Sequence, residues 1–271
     1  MDRKKMMVLF INTFQKEYRN KMMIFFIILT VILIFGINSI LNFAGQLPGI
    51  IPRGSLGDKK LFVFFYIINF WNVLLSVIIG INCVKSDIKS GVILQILSLP
   101  IKRVEYLFAR ILGATGIVLS YYFLAFFLGV VIFTFSSGGV VSFDFKMLLG
   151  LIPTAVLILS AVTFSVLFSL FFSKIQSLFA VLISMLFISH YNNAFSLMFP
   201  SNYLKDLNVF SFFGLIFHFI FPRVGIFNDL AKNVILGNPL DYNLLIEIPH
   251  FLISYAFLGF LCHIALKKKE F

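Results

Sequence analysis

Charge is what this sequence has least of. Only 12% of its residues are Asp, Glu, Lys or Arg, against roughly 25% in soluble domains, and the shortage is concentrated. Segments 22–44, 61–84, 111–135, 147–172 and 177–199 contain no charged residue, and 248–266 is a sixth, shorter run. None of the six carries the mid-span acid or base of a proton or ion relay, which weighs against a proton-coupled antiporter. Cysteine is almost missing as well. Cys83 and Cys262 lie near the cytoplasmic ends of spans, where no disulfide is expected. There is no G-x-x-x-x-G-K-S/T, so the chain is not its own P-loop ATPase, and neither G-x-S-x-G nor H-E-x-x-H occurs. His190, His218, His250 and His263 stand at no metal-ligand spacing. No catalytic, cofactor-binding or metal residues are assigned.

What the chain has in abundance is apolar side chains, 60% of the total, with a mean hydropathy of +1.02. A bilayer core needs about 20 residues of helix, and lipid leaves no partner for an unpaired backbone group. The six runs therefore predict an all-α membrane protein with six transmembrane helices, forming one domain over 1–271. Residues 1–21 lack a small-residue cleavage site and are not expected to be a cleavable signal. There Val8, Leu9, Ile11 and Phe14 oppose Lys4, Asn12, Gln15 and Arg19, the pattern of an amphipathic helix lying in the interface. Residues 207–221 are uncharged over 15 positions, just short of a span. A re-entrant segment on the outer side, before the last helix, suits them.

Basic residues set the orientation. With the N-terminus inside, the segments 1–21, 85–110, 173–176 and 267–271 hold 15 of the 22 Lys and Arg residues. Both termini are then cytoplasmic. The net charge of +11 is explained by topology and anionic lipid and calls for no nucleic acid.

Polar residues inside the runs are the next signal. Asn69, Trp71 and Asn72, and the run His190, Tyr191, Asn192, Asn193, read either as interhelical hydrogen bonding or as the lining of a substrate path. Ala161, Ser165, Ser169 and Ser173 recur every four residues, the stripe of a helix-packing face.

Between the second and third runs the chain changes character, in "VKSDIKSGVILQILSLPIKRVEYLFARILG", residues 84–113. Ile88, Val92, Ile96 and Leu99 fall at helical spacing, and Pro100 ends that helix. Arg103, Glu105, Tyr106 and Arg110 then lead into the third run. An amphipathic helix across the cytoplasmic face, followed by a corner, is the expected structure. Asp87 and Arg103 are expected to be exposed, and Gly91 to allow close backbone approach by a partner.

This stretch resembles the loop between spans two and three of ABC-2-type transporter permeases. In that pattern an acidic residue and a Gly precede a Leu-rich turn, then Pro-x-x-Arg, an aromatic and a basic residue. Asp87 stands where Glu is more frequent, Gly91 at the Gly position, and Leu97, Pro100, Arg103 and Tyr106 match the corner. Arg110 stands where Lys is usual. Residues 12–21 with Glu17 are similar to the family's amphipathic N-terminal helix, and residues 221–237 to its outward segment before the last span.

The resemblance implies the permease subunit of an ABC exporter in a bacterial cytoplasmic membrane, pairing as a homo- or heterodimer. It implies a cytoplasmic coupling helix seated in a groove of a separate ATPase subunit, which binds ATP and Mg while this chain binds no cofactor. Asp87, Gly91, Leu97, Pro100, Arg103, Tyr106 and Arg110 would serve that coupling. Asn69, Asn72, His190, Asn192 and Asn193 are the candidates for lining a path. The alternative is a membrane anchor or mechanotransmission subunit that works with an outer-side accessory protein, as in copper-enzyme maturation, and moves no bulky substrate.

Overall fold

The computed structural model describes residues 3–19, 21–46, 56–98, 101–136, 146–198, 217–239 and 243–269. The longer elements are helices: α1 (Arg3–Arg19), α2 (Met22–Gln46), α3 (Leu56–Lys89), α4 (Val92–Ser98), α5 (Arg103–Ser136), α6 (Lys146–Leu149), α7 (Leu151–Phe171), α8 (Lys174–Met198), α9 (Val224–Leu236) and α10 (Leu244–Lys268). This is an all-helical, multi-pass membrane protein. Five helices are long and apolar enough to cross a bilayer, over Met23–Ile40, Phe64–Lys89, Arg103–Ile132, Leu151–Phe171 and Leu244–Lys268. The fifth uncharged run falls in α8, which is a shorter apolar helix over Lys174–Ser189 among the described residues. The re-entrant segment expected at 207–221 lies outside the described residues apart from 217–221.

The helices overrun the uncharged segments that predict them. α3 continues to Lys89 and α5 begins at Arg103, because Lys85, Asp87 and Arg110 find partners at the helix ends rather than stopping them. α7 is the central helix, packed against α3, α5, α8, α9 and α10. Its Ala161, Ser165 and Ser169 are fully buried, as a packing stripe should be, while Ser173 lies beyond the helix and is exposed. The facing residue on α3 is Gly80. A Cβ there would sit 2.7 Å from Ser165 Cβ and 3.0 Å from the Val162 carbonyl oxygen, so only glycine permits this approach of the two backbones.

One end of the molecule collects the ends of α1, α3, α5, α7 and α10 together with α4. Helix carbonyls there, which carry the negative end of the helix dipole, are met by cations. Lys269 Nζ donates to Leu170 O at 2.9 Å and Lys85 Nζ donates to Phe172 O, while Lys174 Nζ donates to the side-chain amide oxygen of Asn82 on α3 at 2.9 Å. At the other end α9 closes on a left-handed Gly237 with φ 68°, and Arg223 Nη1 meets Glu247 Oε1 of α10 at 2.9 Å.

Candidate functional site

The short connection between α3 and α5 differs from the single amphipathic helix expected from Ile88 to Leu99. Helix α3 carries Ile88 and ends at Lys89, and the chain turns through Ser90 and Gly91 before α4 begins at Val92. Gly91 has φ 72°, a left-handed conformation that side chains resist. A Cβ on it would meet nothing within 4 Å. The glycine therefore serves the turn, and the expected close approach is not its reason. Ile93 is buried, with Ile88 and Ile96 packed against the same core. Leu94 is 52% exposed, and Gln95 and Ser98 are exposed beside it. The Leu97 side chain and Pro100 lie outside the described residues.

Asp87 is the larger correction. It is 1% exposed, and its carboxylate is the hub of a network joining three helices. Oδ1 lies 2.6 Å from Lys16 Nζ of α1. Oδ2 lies 2.6 Å from Arg110 Nη2 of α5 and accepts from Tyr106 OH at 2.8 Å. Arg110 Nη1 donates to Thr13 Oγ1 of α1 at 2.7 Å, and its guanidinium stands over the Tyr106 ring, 5.6 Å from the centroid. Lys16 Nζ also donates to Ser86 Oγ. Glu17 is buried at 2% exposure, and Cys83, one turn before Asp87, lies within electrostatic reach of Glu17, Lys16, Asp87 and Arg110.

The local pattern explains how these groups meet. Tyr106 and Arg110 are four apart on the first turns of α5, and so share a face. Leu9, Thr13 and Glu17 repeat every four residues on α1 and form its buried face, while Val8 and Ile11 of the apolar set are 64% and 43% exposed. Gly113 of α5 lets α1 come close, since a Cβ there would lie 2.8 Å from Thr13 Cβ. Buried charge is tolerated only when paired and hydrogen-bonded, and the network supplies both.

Arg103 is half-buried, contrary to the expected exposure. Its Nη1 donates to Leu266 O at 3.0 Å and Lys267 O at 3.2 Å, capping the last turn of α10. Six of the seven residues grouped by resemblance thus have a place in the described backbone, and Asp87, Tyr106 and Arg110 are joined directly. They bind the molecule to itself rather than facing outward. Sequence reasoning missed Thr13, Lys16 and Ser86. The available signal was the four-residue repeat of Leu9, Thr13 and Glu17, which puts a hydroxyl and a carboxylate on one face.

Of the path candidates, Asn72 is buried, with Nδ2 donating to Ile68 O at 2.7 Å. Its Oδ1, the Oδ1 of Asn69 and Trp71 Nε1 are buried with no hydrogen-bond partner among the described residues. The side chains of His190, Asn192 and Asn193 on α8 lie outside the described residues. No group of three or more His, Cys, Asp or Glu residues is placed to hold a metal among the described residues. Neither a protein-family model nor a curated protein matches the chain.

Proposed function

We propose that the chain is the membrane subunit of an ATP-binding-cassette exporter of the ABC-2 type. It would move its substrate outward with ATP hydrolysed by a separate ATPase chain. On this reading α8 also spans the bilayer and completes a set of six, the basic end is cytoplasmic, and two permease chains work together. A helix of 25 residues is about 37 Å long, more than the roughly 30 Å of a hydrocarbon core.

The observation that carries the proposal is the mounting of α4. Seven residues of helix lie between the ends of two spans, packed inward through Ile93 and exposed outward through Leu94. The Asp87 network fixes the turn that precedes it to α1 and α5. A push on α4 would therefore move the ends of α3 and α5 with it. Nucleotide binding by a partner docked there would shift the balance between conformations of the spans. The docking contacts fall to the exposed residues Lys89, Ser90, Leu94, Gln95 and Ser98, while Asp87, Tyr106, Arg103 and Arg110 hold the mount.

Purification of the tagged chain from its native membrane tests the assignment. An ATPase should co-purify, with two permease chains in the complex by mass and with hydrolysis that responds to substrate. A chain that purifies without any nucleotide-hydrolysing partner while still transporting overturns it.

A further inference from the structure

Two cavities lie next to each other along the seam between α5 and α10. The one at the basic end has a volume of about 750 Å³ and is lined by Lys102, Arg103, Val104, His263 and Lys267, with Ile101 at its edge. The other, about 380 Å³, lies further into the span between Leu107, Phe108 and Ile111 of α5 and Tyr255, Gly259 and Phe260 of α10, and shares Val104 and His263 with the first. The deeper cavity is almost wholly apolar. Its walls open sideways: Phe108 is 45% exposed and Phe260 58%, both within candidate spans, where the surrounding medium is lipid.

We propose that this seam binds one anionic phospholipid of the adjoining leaflet, its phosphate against Lys102 and Lys267 and an acyl chain along the groove. The site has the polarity of such a molecule in the right order along the membrane normal. Lys102 and Lys267 are exposed at the mouth. Arg103 is anchored to the Leu266 and Lys267 carbonyls, so it fixes the mouth as well as contributing charge. His263 Nδ1 is buried and has no hydrogen-bond partner among the described residues, which leaves one polar atom at the junction for a headgroup or glycerol oxygen. Gly259 faces the open groove, where a Cβ on it would meet nothing within 4 Å. Free phosphate would leave the apolar cavity unfilled, and a zwitterionic headgroup brings its own ammonium toward two lysines. Basic pockets between transmembrane helices favour anionic headgroups for this reason. The inference stands without the exporter reading.

The test is native mass spectrometry of the full chain after equilibration with equimolar phosphatidylglycerol and phosphatidylcholine. One phosphatidylglycerol should be retained in preference. Lys102→Ala and Lys267→Ala should each lower that retention about fivefold, the effect expected for one basic group near a lipid surface. Lys89→Ala, which removes an exposed charge at the same end of the molecule, should leave it unchanged. Gly259→Leu fills the groove without touching the lysines and should also release the lipid; Ala256→Phe, from the same wall, replaces it if that variant fails to fold. Equal loss in Lys89→Ala, or retention unaffected by the lysine variants, reduces the site to general surface charge and overturns the proposal. Retention that survives both groove variants, or binding of glycerol 3-phosphate with the same lysine dependence and no lipid preference, makes it a phosphate site and overturns it as well.

Discussion

Arg110 and Asp87 face each other at 2.6 Å with both side chains 1% exposed. A pair so deeply placed gains from mutual attraction but has surrendered its hydration, so its members depend on each other more than the pair stabilises the fold. Removing one partner is the damaging change. Asp87→Asn should destabilise the solubilised protein by about 3–5 kcal/mol, read as a fall in thermal midpoint, because Arg110 and Lys16 lose their shared carboxylate. Adding Arg110→Met should recover part of the loss. A double variant as unstable as the sum of the singles would mean that the two groups act independently.

Gly91 makes a different demand. Its φ of 72° costs an L side chain roughly 1–2 kcal/mol, although space around it is open. Gly91→Ala should therefore lower the thermal midpoint, and Gly91→Asn, which tolerates the left-handed region better, should lower it less. Equal loss for both would point to crowding and away from backbone conformation.

The α3–α7 contact carries a steric prediction. Gly80→Val must push against Ser165 and the Val162 backbone, an overpacking cost of about 1–3 kcal/mol. Ser165→Gly should restore much of the stability by removing the nearer obstacle, as measured by unfolding of the double variant. Failure of that rescue would place the strain on the Val162 carbonyl.

How much of this was legible in the sequence depends on what each signal measures. Uncharged runs mark where lipid surrounds a helix, so they located α2, α3, α5, α7 and α10. They misplaced the C-terminal end of α3 and the N-terminal end of α5, where Lys85, Asp87 and Arg110 stay helical because partners neutralise or hydrogen-bond them. The four-residue stripe on α7 pointed to a packing face but could not name Gly80, since periodicity on one helix says nothing about which residue lies opposite. Asp87 reads in isolation as a surface acid. Its burial depends on Lys16, more than seventy positions away, and on Arg110, which itself donates to Thr13, an arrangement that the packing of α1 on α5 creates.

Cysteine labelling checks the arrangement of ends. Cys83 and Cys262 are buried, so the parent should label weakly. Lys89→Cys and Lys268→Cys should label from one side of the membrane and Asn238→Cys from the other. If Lys268→Cys labels with Asn238→Cys, α10 does not bring its C-terminal end to the basic side, and the Arg103 cap on Leu266 O cannot form in the membrane.

The last prediction separates the docking face from its mount. Leu94 is 52% exposed on α4 while Ile93 beside it is 1% exposed, so successive residues of one short helix face outward and inward. On the exporter reading, an apolar residue at the centre of a docked surface is worth a disproportionate share of the binding energy. Leu94→Asp places an uncompensated charge there and should weaken ATPase capture at least tenfold, with little change in thermal midpoint, because the side chain is 52% exposed. Asp87→Lys should also lose the ATPase, but by unfolding: it puts a third cation beside Lys16 and Arg110, so its midpoint should fall before binding is measured. Pull-down at matched expression, with a melting curve for each variant, distinguishes the two routes. If Leu94→Asp captures the ATPase as well as the parent does, α4 is an interfacial brace between α3 and α5 and the docking surface lies elsewhere.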